Sequence, residues 1–67
     1  MAADVLAGKT IAVGVTGSIA AYKAVEIVRR LVERGAQVHV LMTESASRFV
    51  APLTFQTLSR NPVLTDL

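Results

Sequence analysis

The sequence predicts an α/β fold with a parallel sheet, of which it carries the first strand–helix–strand unit and the short helices that follow. Two apolar runs, Thr10–Val15 and Gln37–Met42, are typical of buried parallel strands. The residues between them have helical spacing, so we expect two parallel strands joined by a right-handed crossover. Residues 1–8 are interpreted as a lead-in to this unit.

Each element of this unit has its own local signal. The first strand, Thr10–Val15, is almost wholly apolar, which predicts that it is buried on both faces. The next segment, Ile19–Arg34, is predicted to be a helix with Ser18 as its N-cap and Gly35 directly after its end. Its apolar positions at helical spacing are Ala21, Ala24, Val25, Val28, Leu31 and Val32.

The chain after the second strand is predicted to hold two short helices and the start of a third strand. Residues 43–50 form the first helix, begun by Thr43 or Ser45, and residues 52–60 form the second, with a proline in its first turn. Asn61-Pro62 marks the end of the second helix, and Val63-Leu64 is expected to open the third strand.

Composition and charge restrict the possible partners. An apolar fraction of 52% is high for 67 residues and indicates a piece of a larger domain or a protomer that packs against another chain. The chain has no cysteine and one histidine, so neither a disulfide framework nor a metal site is predicted. Its basic residues are dispersed, which argues against nucleic acid. No membrane span or signal peptide is evident, so we expect no membrane partner and a cytoplasmic protein.

The abrupt change from strand to helix at Gly17-Ser18 suggests a site for an anion. Parallel strands end at the same edge of a sheet, so residues 16–18 and 43–45 should lie close together, at the edge where α/β proteins bind ligands. A helix amino end favours phosphate, Gly17 leaves room for it and the Ser18 hydroxyl can donate to it. The alternative is purely structural: Gly17 turns the chain and Ser18 caps the helix.

The kind of phosphate follows from the motifs that fail. Neither the dinucleotide fingerprint nor the Walker motif fits the glycine spacing around Gly14 and Gly17. Glu44 could in principle hold a ribose, but the hydroxyls of Thr43 and Ser45 suit a second phosphate contact better, because a carboxylate repels an anion. The residues therefore favour a mononucleotide phosphate held by two strand ends.

Three blocks of the sequence, GVTGSIAAYKA, LVERGAQVHVLMTESASRFV and PLTFQTLSRNPV, closely resemble the homo-oligomeric flavin-containing cysteine decarboxylase family. The resemblance implies a Rossmann-like, three-layer flavoprotein fold, with residues 9–67 as the N-terminal part of an FMN-binding decarboxylase domain. The resemblance implies two phosphate-binding segments, of which the first contains Gly17, Ser18 and Ile19 and the second contains Thr43 and Ser45. Phe49 lies toward the flavin region, but we expect it and Tyr22 to pack, and Lys23 to be solvated.

Within that family, the nearest likeness is to the phosphopantothenoylcysteine decarboxylases of coenzyme A biosynthesis, which in bacteria are commonly fused to phosphopantothenate–cysteine ligase. The resemblance implies FMN-dependent decarboxylation of phosphopantothenoylcysteine to phosphopantetheine, in a homo-oligomer with flavin sites between subunits. The family's catalytic histidine is expected beyond Leu67, so these 67 residues alone are expected to be inactive. His39 lies within the second strand and is interpreted as structural.

Two alternatives keep the fold and change the function. One is a different enzyme of the same fold, a flavin prenyltransferase or a peptidyl-cysteine decarboxylase. The other is a flavin-binding regulatory module without catalytic activity. The AAYKA and PLTFQTLS blocks favour the phosphopantothenoylcysteine decarboxylase.

Overall fold

The computed structural model describes residues 5–17 and 19–65. Its elements are β1 (Thr10–Val15), α1 (Ala20–Glu33), β2 (Gln37–Met42), a 3₁₀ turn (Ala46–Arg48) and α2 (Pro52–Ser59). Both strands have the predicted bounds. The first helix is one residue shorter at each end than predicted.

The sheet of the described residues is parallel, as predicted, and consists of β1 and β2. Residues Thr10–Val15 pair in register with Gln37–Met42. On the other side of β2, Leu64 forms a parallel bridge with Leu41. The Met42 amide donates to the Leu64 carbonyl at 2.7 Å, and the Leu64 amide donates to the Val40 carbonyl at 3.0 Å. This single bridge lies where a third strand is predicted to open, and the third strand itself stays a prediction.

The core lies on one face of the sheet. The two helices contribute to the same buried cluster as alternate residues of the strands. Fully buried members of this cluster include Val28, Val38, Val40, Met42 and Phe55. The prediction that β1 is buried on both faces is wrong for the described residues, because Ala12 and Gly14 point away from this cluster and are exposed.

The carboxyl end of α1 is fixed by glycine and by the lead-in. Gly35 has φ +94°. Its amide donates to Val32 and that of Ala36 donates to Leu31, at 3.0 and 3.1 Å, which is the Schellman pattern. The Leu6 amide also donates to the Arg34 carbonyl at 2.8 Å. The lead-in, where the structure describes it, is therefore attached to the helix end.

The segment after β2 is less helical than predicted. Its regular part is a 3₁₀ turn at Ala46–Arg48. The Thr43 hydroxyl oxygen accepts a hydrogen bond from the Ala46 amide at 3.1 Å, and this bond starts a tight turn. The following helix ends at Ser59, and Arg60 takes the left-handed conformation with φ 62°. The Asn61 side-chain amide then donates to the Val38 carbonyl at 2.7 Å and attaches this turn to β2.

Candidate functional site

The ends of β1 and β2 meet at the carboxyl edge of the sheet. Val15 pairs with Met42, and the Thr43 amide donates to the Val15 carbonyl at 3.0 Å, so the strand ladder continues into the loops. Gly17 and Ser45 are in contact across this edge. The predicted approach of residues 43–45 to the loop after β1 is confirmed by these contacts.

Gly17 is required by the space around it. A Cβ atom at Gly17 would overlap the Ser45 hydroxyl and lie 2.9 Å from the Ser45 Cβ, closer than real Cβ atoms come to other atoms. The positive-φ glycines of the described chain are Gly8 and Gly35, so Gly17 needs no left-handed backbone. The sequence predicts that a side chain here is harmful and that residues 43–45 lie close by, but no local pattern specifies that the Ser45 side chain fills the space over Gly17.

The Thr43 hydroxyl accepts one hydrogen bond and can still donate another. Its Oγ1 accepts the Ala46 amide at 3.1 Å, which leaves the hydroxyl proton as a donor. Ser45 makes no side-chain hydrogen bond to the described residues, so its hydroxyl can also donate. Two donors thus stand on the loop that follows β2.

The amino end of α1 begins three residues after Gly17, which contacts Ser45. Its N-cap position falls on Ile19, with φ −57° and ψ −24° and no side-chain cap. Ser18, predicted as N-cap and phosphate ligand, lies outside the described residues. The first turn of α1 contains no acidic residue, so the partial positive charge of the helix end is not offset within that turn.

The acidic residue nearest in sequence to this edge is already paired. Glu44 is 85% exposed at its side chain and forms an ion pair with Arg48 at 3.6 Å. Its carboxylate is thus engaged one helical turn along the loop. The preference for the Thr43 and Ser45 hydroxyls over Glu44 at this edge stays a prediction.

Apolar side chains flank the polar edge. Ile19 is 77% exposed, and Tyr22 and Phe49 form an edge-to-face pair with ring centroids 6.4 Å apart. Phe49 is 41% exposed and Tyr22 is 56% exposed, so the expected packing is between these two rings at the surface, and the expectation that Phe49 is a core residue is wrong. Lys23 is exposed, as predicted.

The charged face of α1 contains several ion pairs. Arg29 and Arg30 bond to Glu26 at 2.6 and 3.2 Å, and Arg29 also lies 3.8 Å from Glu33. These hydrogen bonds lower the pKa of the Glu26 carboxyl and raise the pKa of Arg29. The predicted solvated face with ion pairs is confirmed, and it offers no isolated basic stripe.

His39 lies on the exposed face of β2, opposite Ala12. It sits three residues before the strand ends, away from the Gly17–Ser45 contact. Among residues 5–17 and 19–65 there is no group of three potential metal ligands. Nor does any helix in that part of the chain have the length and apolar character needed to cross a bilayer.

A strand–helix–strand unit whose strand ends bring hydroxyl side chains to a helix amino end is typical of α/β proteins that bind an anionic cofactor at the sheet edge. The particular family is shown by sequence. The Flavoprotein family pattern matches residues 3–67, and the chain belongs to this family. A flavin is accordingly the cofactor class of the protein.

The chain is similar to several curated proteins named "Coenzyme A biosynthesis bifunctional protein CoaBC". It is 56% identical to the one from Vibrio parahaemolyticus over 62 residues, which are 92% of this chain and 16% of that protein. The Escherichia coli protein is also 56% identical, over 92% of this chain and 15% of its own length. The Bacillus subtilis protein is 62% identical over 78% of this chain and 13% of its own length.

The fold of this chain is also similar to that of a solved decarboxylase structure. The crystal structure of the cypemycin decarboxylase CypD superposes with a TM-score of 0.75 and 32% sequence identity, covering 91% of this chain and 36% of that one. The predicted flavoprotein fold is thereby confirmed. The chain spans about a sixth of the length of the curated relatives it matches, 16% for the Vibrio parahaemolyticus protein.

Proposed function

We propose that this chain forms the FMN phosphate-binding part of a phosphopantothenoylcysteine decarboxylase that acts in coenzyme A biosynthesis. The observation that carries the proposal is the contact between Gly17 and Ser45 at the joined strand ends, within a chain 56% identical to bifunctional coenzyme A biosynthesis proteins. In the intact protein we expect a ligase part as well, and the catalytic histidine beyond Leu67.

Three features of the described residues support a phosphate at this edge. Gly17 has no side chain of its own, and its backbone approaches the Ser45 side chain so closely that a Cβ atom would overlap the Ser45 hydroxyl. Thr43 and Ser45 each have a hydroxyl proton to donate. The first turn of α1 carries no acid, so its dipole favours a dianion. Ser18, which lies outside the described residues, and Ile19 also belong to the proposed phosphate-binding segment.

The role of these residues is to bind and orient the cofactor. When bound, the flavin supplies the electron acceptor for oxidation of the substrate's cysteine end, which eases the loss of carbon dioxide. The strand-end hydroxyls hold the phosphate in a fixed place, which fixes where the attached ring system begins. The exposed apolar residues Ile19, Tyr22 and Phe49 beside that edge give the mixed polar and apolar surface that cofactor sites have.

FMN rather than FAD is proposed because the two loops meet at one place on the sheet edge, which provides for one phosphate group, and the dinucleotide fingerprint is absent. We propose in addition a cytoplasmic homo-oligomer, with flavin sites between subunits and no nucleic-acid or membrane partner.

A second candidate is a peptidyl-cysteine decarboxylase, and the observation that favours it is the likeness to the cypemycin decarboxylase. Its identity of 32% is lower than the 56% of the coenzyme A biosynthesis relatives. Both candidates use the same proposed phosphate site and differ in substrate.

The experiment is to purify the intact protein, identify its flavin chromatographically and assay carbon dioxide release. Phosphopantothenoylcysteine and a peptide with a C-terminal cysteine are offered as alternative substrates. We expect FMN at close to one per subunit and turnover of the small substrate. The variant Gly17→Val should be isolated without flavin, whereas Ser47→Ala should retain it, because the Ser47 hydroxyl bonds to the Glu44 carbonyl instead. FAD, or turnover of the peptide alone, would contradict the proposal.

A further inference from the structure

Ser45 occupies the position that a side chain at residue 17 would need. A Cβ atom there would overlap the Ser45 hydroxyl, and it would lie 2.9 Å from the Ser45 Cβ and 3.6 Å from its carbonyl carbon. The two residues belong to different loops, one after β1 and one after β2. Their contact joins the two loops directly, beyond the last ladder bond between Thr43 and Val15.

We infer that Ser45 is a positioning residue: it packs on the Cα of Gly17 and sets the separation of the two proposed phosphate-binding loops before any cofactor is bound. This inference rests on the proposed FMN phosphate site. Gly17 is then required by Ser45, in the protein without cofactor, as well as by the phosphate.

The surroundings of Ser45 explain why this contact matters. Its backbone is helical, with φ −59° and ψ −43°, and it begins the 3₁₀ turn without a side-chain cap bond. Its hydroxyl is held by no hydrogen bond to the described residues. Ser45 is exposed, and the close approach to Gly17 is the contact that we infer restricts its side chain, while the hydroxyl keeps its proton for a ligand.

The competing explanation is that Gly17 is required only because a ligand approaches its backbone. The two explanations differ once Ser45 is removed. Ser45→Ala is insufficient for this purpose, because its Cβ would remain 2.9 Å from a new Cβ at residue 17. Ser45→Gly removes both contacting atoms and makes room for an alanine.

The test is a double-variant cycle in the intact protein, with Gly17→Ala, Ser45→Gly and the two combined. FMN binding is measured by fluorescence quenching on protein stripped of cofactor, and thermal unfolding is measured on the same cofactor-free protein. Ser47→Gly is the matched control background, because it also places a glycine in this turn and keeps the contact between Ser45 and Gly17. Non-additivity in such a cycle reports direct coupling.

We expect Gly17→Ala to weaken FMN binding about tenfold or more and to lower the unfolding temperature of the cofactor-free protein. In the Ser45→Gly background both effects should shrink to about threefold or less in affinity and to little change in unfolding temperature, and in the Ser47→Gly background they should persist. If Gly17→Ala fails to fold, recovery of soluble protein in the Ser45→Gly background takes the place of the affinity comparison.

Two results would overturn the inference and separate it from the proposed function. Equal loss of FMN affinity in all backgrounds, with unchanged unfolding of the cofactor-free protein, leaves the phosphate site in place and removes the role of Ser45. Unchanged FMN affinity for Gly17→Ala in every background contradicts the phosphate site itself. In that case, the coupling in cofactor-free unfolding still decides whether Ser45 packs as inferred.

Discussion

Thr43 accepts a hydrogen bond from the Ala46 amide and is proposed to donate one to the FMN phosphate, and replacing it with valine should remove both. Valine keeps the branched shape of threonine and lacks the hydroxyl. In the cofactor-free protein, Thr43→Val removes the hydrogen bond that the Ala46 amide donates to the Thr43 hydroxyl at 3.1 Å. Loss of a capping hydroxyl typically destabilises by about 1 kcal/mol. In FMN binding, the loss is that of one hydrogen bond to a charged phosphate, about 1.5–3 kcal/mol.

These magnitudes predict distinct readouts. A bond of about 1.5–3 kcal/mol corresponds to roughly a 10- to 150-fold increase in the Kd for FMN. The cap appears separately as lower stability of the cofactor-free protein in denaturant titrations. Thr43→Ser keeps the hydroxyl and should stay within about threefold of the parent in Kd. If Thr43→Val loses stability but binds FMN with an unchanged Kd, then Thr43 is only a cap, and its assignment to the phosphate is wrong.

Three further predictions concern stability, each measured by thermal or denaturant unfolding of the intact protein. Asn61→Ala should cost about 1–3 kcal/mol, because the Val38 carbonyl loses its donor at 2.7 Å; an unchanged stability would mean that water replaces the amide. Gly35→Ala should cost about 1–2 kcal/mol or more, because φ is +94° and the new Cβ would lie 3.2 Å from the Ala7 nitrogen. Glu26 has a folded pKa below its ordinary 4.5, so its ion pairs stabilise above pH 4.5 and are lost as the pH falls through the folded pKa. Glu26→Gln should lack that part of the acid dependence, and an identical pH profile for both proteins would contradict it.

The strand–helix–strand unit could be predicted because each of its signals is local. The apolar runs gave both strands their observed bounds, and Gly35 marked the end of α1 through the left-handed backbone that a Schellman end requires. The segment after β2 was harder. Its hydroxyl residues can bond to the backbone in several ways, and the Thr43 bond to Ala46 selects a single 3₁₀ turn over a longer helix.

The position of the candidate site was predictable from topology, whereas its packing was not. Parallel pairing alone places Thr43 and Ser45 beside Gly17, because both strands end at one edge. Which atom fills the space over Gly17 depends on side chains far apart in the sequence, and no local pattern specifies them. The Tyr22–Phe49 pair is of the same kind: each residue was expected to pack, but their meeting at the surface depends on how α1 and the 3₁₀ turn approach.

The error over β1 has a physical cause that lies in the size of its side chains. Hydropathy treats the strand as uniformly apolar, and uniform apolarity predicts burial on both faces. The large residues Ile11, Val13 and Val15 alternate with the small residues Ala12 and Gly14. The large set faces the helices, where volume is needed to fill the core, and the small set lies on the exposed face. A glycine in a strand leaves room for another backbone to approach closely. The two faces of β1 are therefore built for different neighbours, and the alternation of volume distinguishes them where hydropathy does not.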